Sequence, residues 1–99
     1  MKIKVHSIHF DADEKLLTFI QERVDKLVHF YQDILGGEVF LRLEKSKDTS
    51  NKVVHIKLDI PGNNLFVKEQ RKTFEEAMDL ASEAMRQQIQ RHKEKLRGV

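Results

Sequence analysis

Residues 73–97, TFEEAMDLASEAMRQQIQRHKEKLR, set the frame for the whole chain. Phe74, Ala77, Met78, Ala81, Met85, Ile89 and Leu96 recur at steps of mostly three, four and seven. That spacing places them on one stripe of an α-helix, a stripe that needs a surface to cover it. Thr73, with Glu76 three places on, reads as a capping box at the start. The charges are sorted by sign: Glu75, Glu76, Asp79 and Glu83 come first, then Arg86, Arg91, Lys93, Lys95 and Arg97 against the single acid Glu94. The helix dipole favours this order by about 0.3–1 kcal/mol per charge near an end. One or two bases satisfy a dipole, however, and five point to an anionic partner.

Working back towards the N-terminus, the surface that covers this stripe is a sheet. Residues 65–70, LFVKEQ, read as a strand, and Pro61-Gly62-Asn63-Asn64 as the hairpin turn before it. In residues 52–60, KVVHIKLDI, Val54, Ile56, Leu58 and Ile60 alternate with His55, Lys57 and Asp59, the pattern of a strand with one buried face. Ser46 to Asn51 is a polar turn. Residues 38–45, EVFLRLEK, alternate again, with Val39, Leu41 and Leu43 inward and Phe40, Arg42 and Glu44 outward. Before them, Leu16, Ile20, Val24, Leu27, Tyr31 and Ile34 mark a first amphipathic helix of about six turns, N-capped by Asp11 or Asp13 and ended by Gly36-Gly37. Residues 2–8, KIKVHSI, are a half-exposed strand with Ile3 and Val5 inward.

The order is β-α-β-β-β-α, an α+β class with a four-stranded mixed sheet. A β-α-β crossover makes the first two strands parallel. Counting directions from there, both helices run the same way, side by side on one face of the sheet. At 99 residues the chain reads as one domain spanning 1–99. It has no Cys, which excludes disulfides, thiolate nucleophiles and Cys-based zinc sites. No apolar run approaches the ~20 residues of a membrane span, and the N-terminus lacks a signal-peptide core; the expectation is a soluble, cytoplasmic protein. The formal net charge is only +2. Its distribution says more: residues 84–99 hold five bases and one acid, while the rest holds thirteen bases and fifteen acids. A near-neutral body with a basic end suggests nucleic acid.

Arg23 and Lys26 fall in the second half of the first helix, off its apolar stripe and level with Arg86. Arg86, Gln90, Lys93 and Arg97 share one face of the last helix. Together these bases would form a positive groove that tracks a phosphate backbone. A rival site is the open sheet face, where Lys2, Lys4, Phe40, Arg42, Lys57, Phe66 and Lys68 would gather. Aromatics among bases on a sheet can stack single-stranded RNA. A third reading is a protein-interaction module whose basic end docks an acidic partner. His6 and His9 have HxxH spacing, but a strand would aim them at opposite faces, which is poor for one metal ion. There is no GxSxG, Walker loop or dinucleotide fingerprint, and nothing supports an enzyme.

Over essentially all its length the chain resembles the short form of the ribosome hibernation-promoting factor and ribosome-associated inhibitor A family. The resemblance is carried by the element order, by Phe10 through Leu16, Phe19-Ile20 and Lys26-Leu27, by Arg42-Leu43-Glu44-Lys45, by Ala77-Met78-Asp79, and by Gln88 through Arg91-His92-Lys93-Glu94-Lys95-Leu96. It implies a fold like that of double-stranded-RNA-binding domains. It also implies binding to rRNA of the small ribosomal subunit in the tRNA and mRNA channel, and inhibition of translation by occlusion during starvation or stationary phase. By match, the rRNA contacts become Arg23, Lys26, Arg91, Lys93 and Lys95, with Arg42 and His92 beside them; the charge pattern adds Arg86 and Arg97. No cofactor, metal, membrane or small-molecule substrate is implied. The chain departs from the family at Glu75, where an aromatic is usual, and at Ala84 and Gln87, where bases are usual.

Overall fold

The computed structural model describes residues 3–45 and 47–96. Its elements are β1 (Ile3–Ile8), α1 (Glu14–Phe30), β2 (Gly36–Leu43), β3 (Lys52–Ile60), β4 (Asn63–Arg71) and α2 (Phe74–Leu96). The sheet order is β1-β2-β3-β4, with β1 and β2 parallel and the other two pairings antiparallel. This is the expected β-α-β-β-β-α mixed sheet.

The alternation in β3 predicts its packing. Val54, Ile56, Leu58 and Ile60 are buried on the helix side, where they meet Val39, Leu41, Leu65 and Val67 of the neighbouring strands. Ile20, Val24 and Leu27 of α1, and Phe74, Ala77, Met78, Ala81, Met85 and Ile89 of α2, close over them. Burying each large aliphatic side chain contributes about 1.5–3 kcal/mol, so this one layer supplies the main driving force of folding. Asp13 caps α1 by accepting from Leu16 N at 2.7 Å, and Thr73 Oγ1 caps α2 by accepting from Glu76 N at 3.1 Å. The β3–β4 turn is only Pro61-Gly62, with Gly62 at φ 79°, which a residue with a Cβ adopts at a cost.

The contacts between the helices fix their relative direction. Arg23 meets Asp79, and Phe30 meets Arg86 and Lys93. Residue numbers rise together along the seam, so α1 and α2 run parallel.

Three expectations need correction. Helix α1 ends at Phe30, with Tyr31 extended as its C-cap, and does not reach Gly36-Gly37. Tyr31 and Ile34 are buried, but from the connecting segment. Gly36 and Gly37 open β2 instead. A Cβ on Gly37 would lie 2.4 Å from Lys57 O and 2.8 Å from Leu58 Cδ2, so the glycine permits close strand approach rather than a left-handed cap. Leu43 is exposed because it lies at the end of β2, and Leu96 because it lies at the end of α2.

Candidate nucleic-acid interface

Arg23, Lys26 and Arg86 line one groove between α1 and α2, with Leu27, Asp79, Ser82 and Glu83, around a cavity of about 180 Å³. The expected meeting of bases from two helices therefore occurs. The groove is not uniformly positive, however. Arg23 Nε lies 2.6 Å from Asp79 Oδ1, and Glu83 stands in the same lining. Acids of the first half of α2 thus face the middle of α1. Ser82 is buried, and its Oγ has no hydrogen-bond partner among the described residues.

Further along, the groove turns basic. The Arg86 guanidinium lies 4.8 Å from the centre of the Phe30 ring. Lys93 Nζ lies 5.1 Å from the same ring and 5.7 Å from that of Tyr31. Arg23 sits 4.2 Å above Phe19. A ring face orients a cation without neutralising it. Lys26, Arg86, Arg91, Lys93 and Lys95 have no ion-pair partner among the described residues. Their charge remains available to a polyanion.

The other expected residues divide. Arg91, His92 and Lys95 line a separate depression of about 270 Å³ with Asn63, Leu65 and Gln88, on the β4 side of α2. Buried His92 Nε2 has no partner among the described residues. Arg42 does not join the helix face. It lies across the sheet, 3.5 Å from Glu44 Oε1 and 3.4 Å from His55 Nε2. Arg97 and Lys2 lie outside the described residues.

On the open face, strand register sets three rows: Lys4, Glu38, Lys57 and Phe66; His6, Phe40, His55 and Lys68; Ile8, Arg42, Val53 and Gln70. His6 stacks on Phe40 at 5.0 Å, and its Nε2 lies 2.8 Å from Glu38 Oε2, close enough for an ion pair but outside hydrogen-bond geometry. Burial, then the charges of Arg42 and Lys68, push the pKa of His55 below its ordinary value, against the opposing pull of Glu44. Among the described residues, no group of three or more His, Asp or Glu is placed to hold a metal ion, and no helix is long and apolar enough to cross a membrane.

Sequence reasoning missed Asp79, Ser82 and Glu83 as groove residues, and Phe19, Phe30 and Tyr31 as supports for the bases. Only Phe19 and Arg23, four apart on one helix, carried a readable local signal.

Comparison with known proteins bears on the fold and the family. A ribosome hibernation promoting factor from Pseudomonas putida is 21% identical over 99 residues, covering 100% of this chain and 93% of that protein. A ribosomal subunit interface protein from Coxiella burnetii superposes with a TM-score of 0.81 at 14% identity, over 94% of this chain and 98% of its own. The N-terminal domain of Thermus thermophilus Protein Y gives a TM-score of 0.77 at 22% identity, over 93% and 99% respectively. These two structures share the fold. The family described as sigma 54 modulation protein / S30EA ribosomal protein matches residues 3–97, nearly the whole chain. The protein therefore belongs to the sigma 54 modulation protein / S30EA ribosomal protein family.

Proposed function

We propose that residues 1–99 act as a single cytoplasmic unit that binds rRNA of the small ribosomal subunit, in the channel used by tRNA and mRNA, and silences idle ribosomes by occupying it. The observation that carries this reading is the parallel seam. It sets Lys26 of α1 beside Arg86 of α2, with Lys93 further along α2, on one side of the sheet. Unpaired cations in a line contact phosphates without reading bases. Arg91, His92 and Lys95 widen the footprint towards β4. Starvation and stationary phase, when ribosomes are empty, are the conditions that suit inhibition by occupancy. No bond is made or broken. The helix contacts act through charge and hydrogen bonding, and a folded body filling the channel excludes its substrates.

The test is sedimentation of purified small subunits with wild-type protein and with Lys26→Glu/Lys93→Glu. Wild type should travel with the subunit and block tRNA and mRNA binding to it; the variant should stay at the top of the gradient. Simultaneous binding of tRNA and wild-type protein would rule out occlusion. Co-sedimentation of the double variant at wild-type levels would rule out the seam as the contact.

A further inference from the structure

One aromatic ring is left over by the packing described above. Phe66 is 52% exposed, on the open sheet face, at the edge strand β4. It is the one aromatic among the exposed large hydrophobics of the described residues. The other aromatic pair on that face, His6 with Phe40, is closed on itself, its rings nearly parallel at 17°. Phe66 is held differently. His55 meets it edge to face, at 5.3 Å and 73°, which restrains the ring without stacking on it. Its backbone carbonyl accepts from Gln88 Nε2 at 3.1 Å. The ring is preorganised, and its side chain stands among cations. Lys57 is its cross-strand partner and has no ion-pair partner among the described residues; Lys68 follows two places on along the same face, its Nζ 3.9 Å from Glu44 Oε2 in a loose, solvent-open pair that leaves its remaining donors to a phosphate.

The Gln88 bond also locates Phe66 relative to α2. Gln88, Arg91 and Lys95 lie on the helix side of the β4 edge, and Phe66 with Lys57 and Lys68 on the far side. Bases therefore continue from α2 over the rim of the sheet and on to an exposed ring.

We infer that the RNA contact wraps round the β4 edge, and that an unpaired base stacks on Phe66 while its neighbouring phosphates lie on Arg91 and Lys95 on one side and Lys57 and Lys68 on the other. This rests on the proposed RNA contact of α2 and extends it to a second face. Every nucleobase has a π-face, so the site selects unpaired RNA over duplex rather than one sequence over another. Stacking and phosphate contacts differ in their response to salt. Removing a stacked ring lowers affinity without releasing fewer counterions, whereas removing a base flattens the salt dependence.

The experiment is fluorescence anisotropy of fluorescein-labelled decauridylate with the full chain, between about 50 and 200 mM KCl. Phe66→Ala should weaken binding by about 5- to 100-fold with the slope of log K against log salt unchanged. Phe66→Trp should bind as tightly as wild type or more so. Arg91→Glu should lower the slope. Because Phe66 is exposed, the far-UV spectrum and melting temperature of the Phe66 variants should match wild type. Affinity of Phe66→Ala within about twofold of wild type, or equal losses for Ala and Trp, overturns the inference. In that case a lower slope for Arg91→Glu still upholds the helix contact, so the two readings fail separately.

Discussion

Asp79→Asn should strengthen RNA binding while slightly weakening the fold. Asp79 Oδ1 holds Arg23 Nε at 2.6 Å in the groove that we assign to phosphate, and the two side chains are 53% and 25% exposed. An ion pair this open to solvent contributes about 0.2–1 kcal/mol to stability. For a domain near this size, a loss of that order lowers the melting temperature by a few degrees at most. The gain on the RNA side is larger in kind. The substitution removes a carboxylate from beside the phosphate path and frees a guanidinium that Phe19 already orients from below. One additional phosphate contact steepens the salt slope by about 0.7–0.9. Across about 50 to 200 mM KCl that change is roughly threefold, so the advantage of the variant at the lower salt should exceed its advantage at the higher salt by about that factor. Filter binding of labelled small subunits over this range, with a parallel thermal melt, provides both numbers. Weaker binding by Asp79→Asn, or an unchanged slope, would refute the reasoning and leave Arg23 as a tie between helices rather than an RNA contact.

Two further outcomes follow from the sheet. Gly37→Ala should cost about 1–3 kcal/mol in urea unfolding, because its Cβ would press on the Lys57 carbonyl and the Leu58 side chain; a loss below about 0.5 kcal/mol would mean that the strands separate easily there. His55, in contact with Phe66 and facing Arg42, Lys68 and Glu44, has a folded-state pKa below its ordinary 6.5, so the unfolded chain takes up its proton first as pH falls. The stability that His55 contributes is complete above that unfolded value and is lost as pH drops through the folded one. His55→Gln should therefore lose less stability than wild type between about pH 7.5 and 5, as followed by urea midpoints, and equal losses would contradict the assignment.

Local pattern carried most of the fold. Strand alternation marked the inward faces of β2 and β3, and three-four spacing marked the buried stripe of α2, because burial of one face is a property of sequence period. The errors lie where one residue type serves two physical ends. Gly36-Gly37 looked like a helix stop, since glycine permits positive φ, yet Gly37 is there for want of a Cβ against β3. Leu43 and Leu96 continued their patterns in sequence, but both lie exposed at the ends of their elements.

The candidate site divides in the same way. The amino-acid order alone determined that a basic helix end exists, that it is amphipathic, and that two helices share one side of a sheet. It also placed Arg42 on the opposite face through simple alternation. Only the tertiary structure decided which charges remain unpaired. Arg23 and Asp79 are 56 residues apart, and no local period connects them. Lys93 reaches Phe30 and Tyr31 only because the helices run parallel in that register, and Phe66 stands free only because β4 is the edge strand. Periodicity records which face of an element is buried. Which residues meet across elements depends on register and packing, and those are settled by the whole core at once.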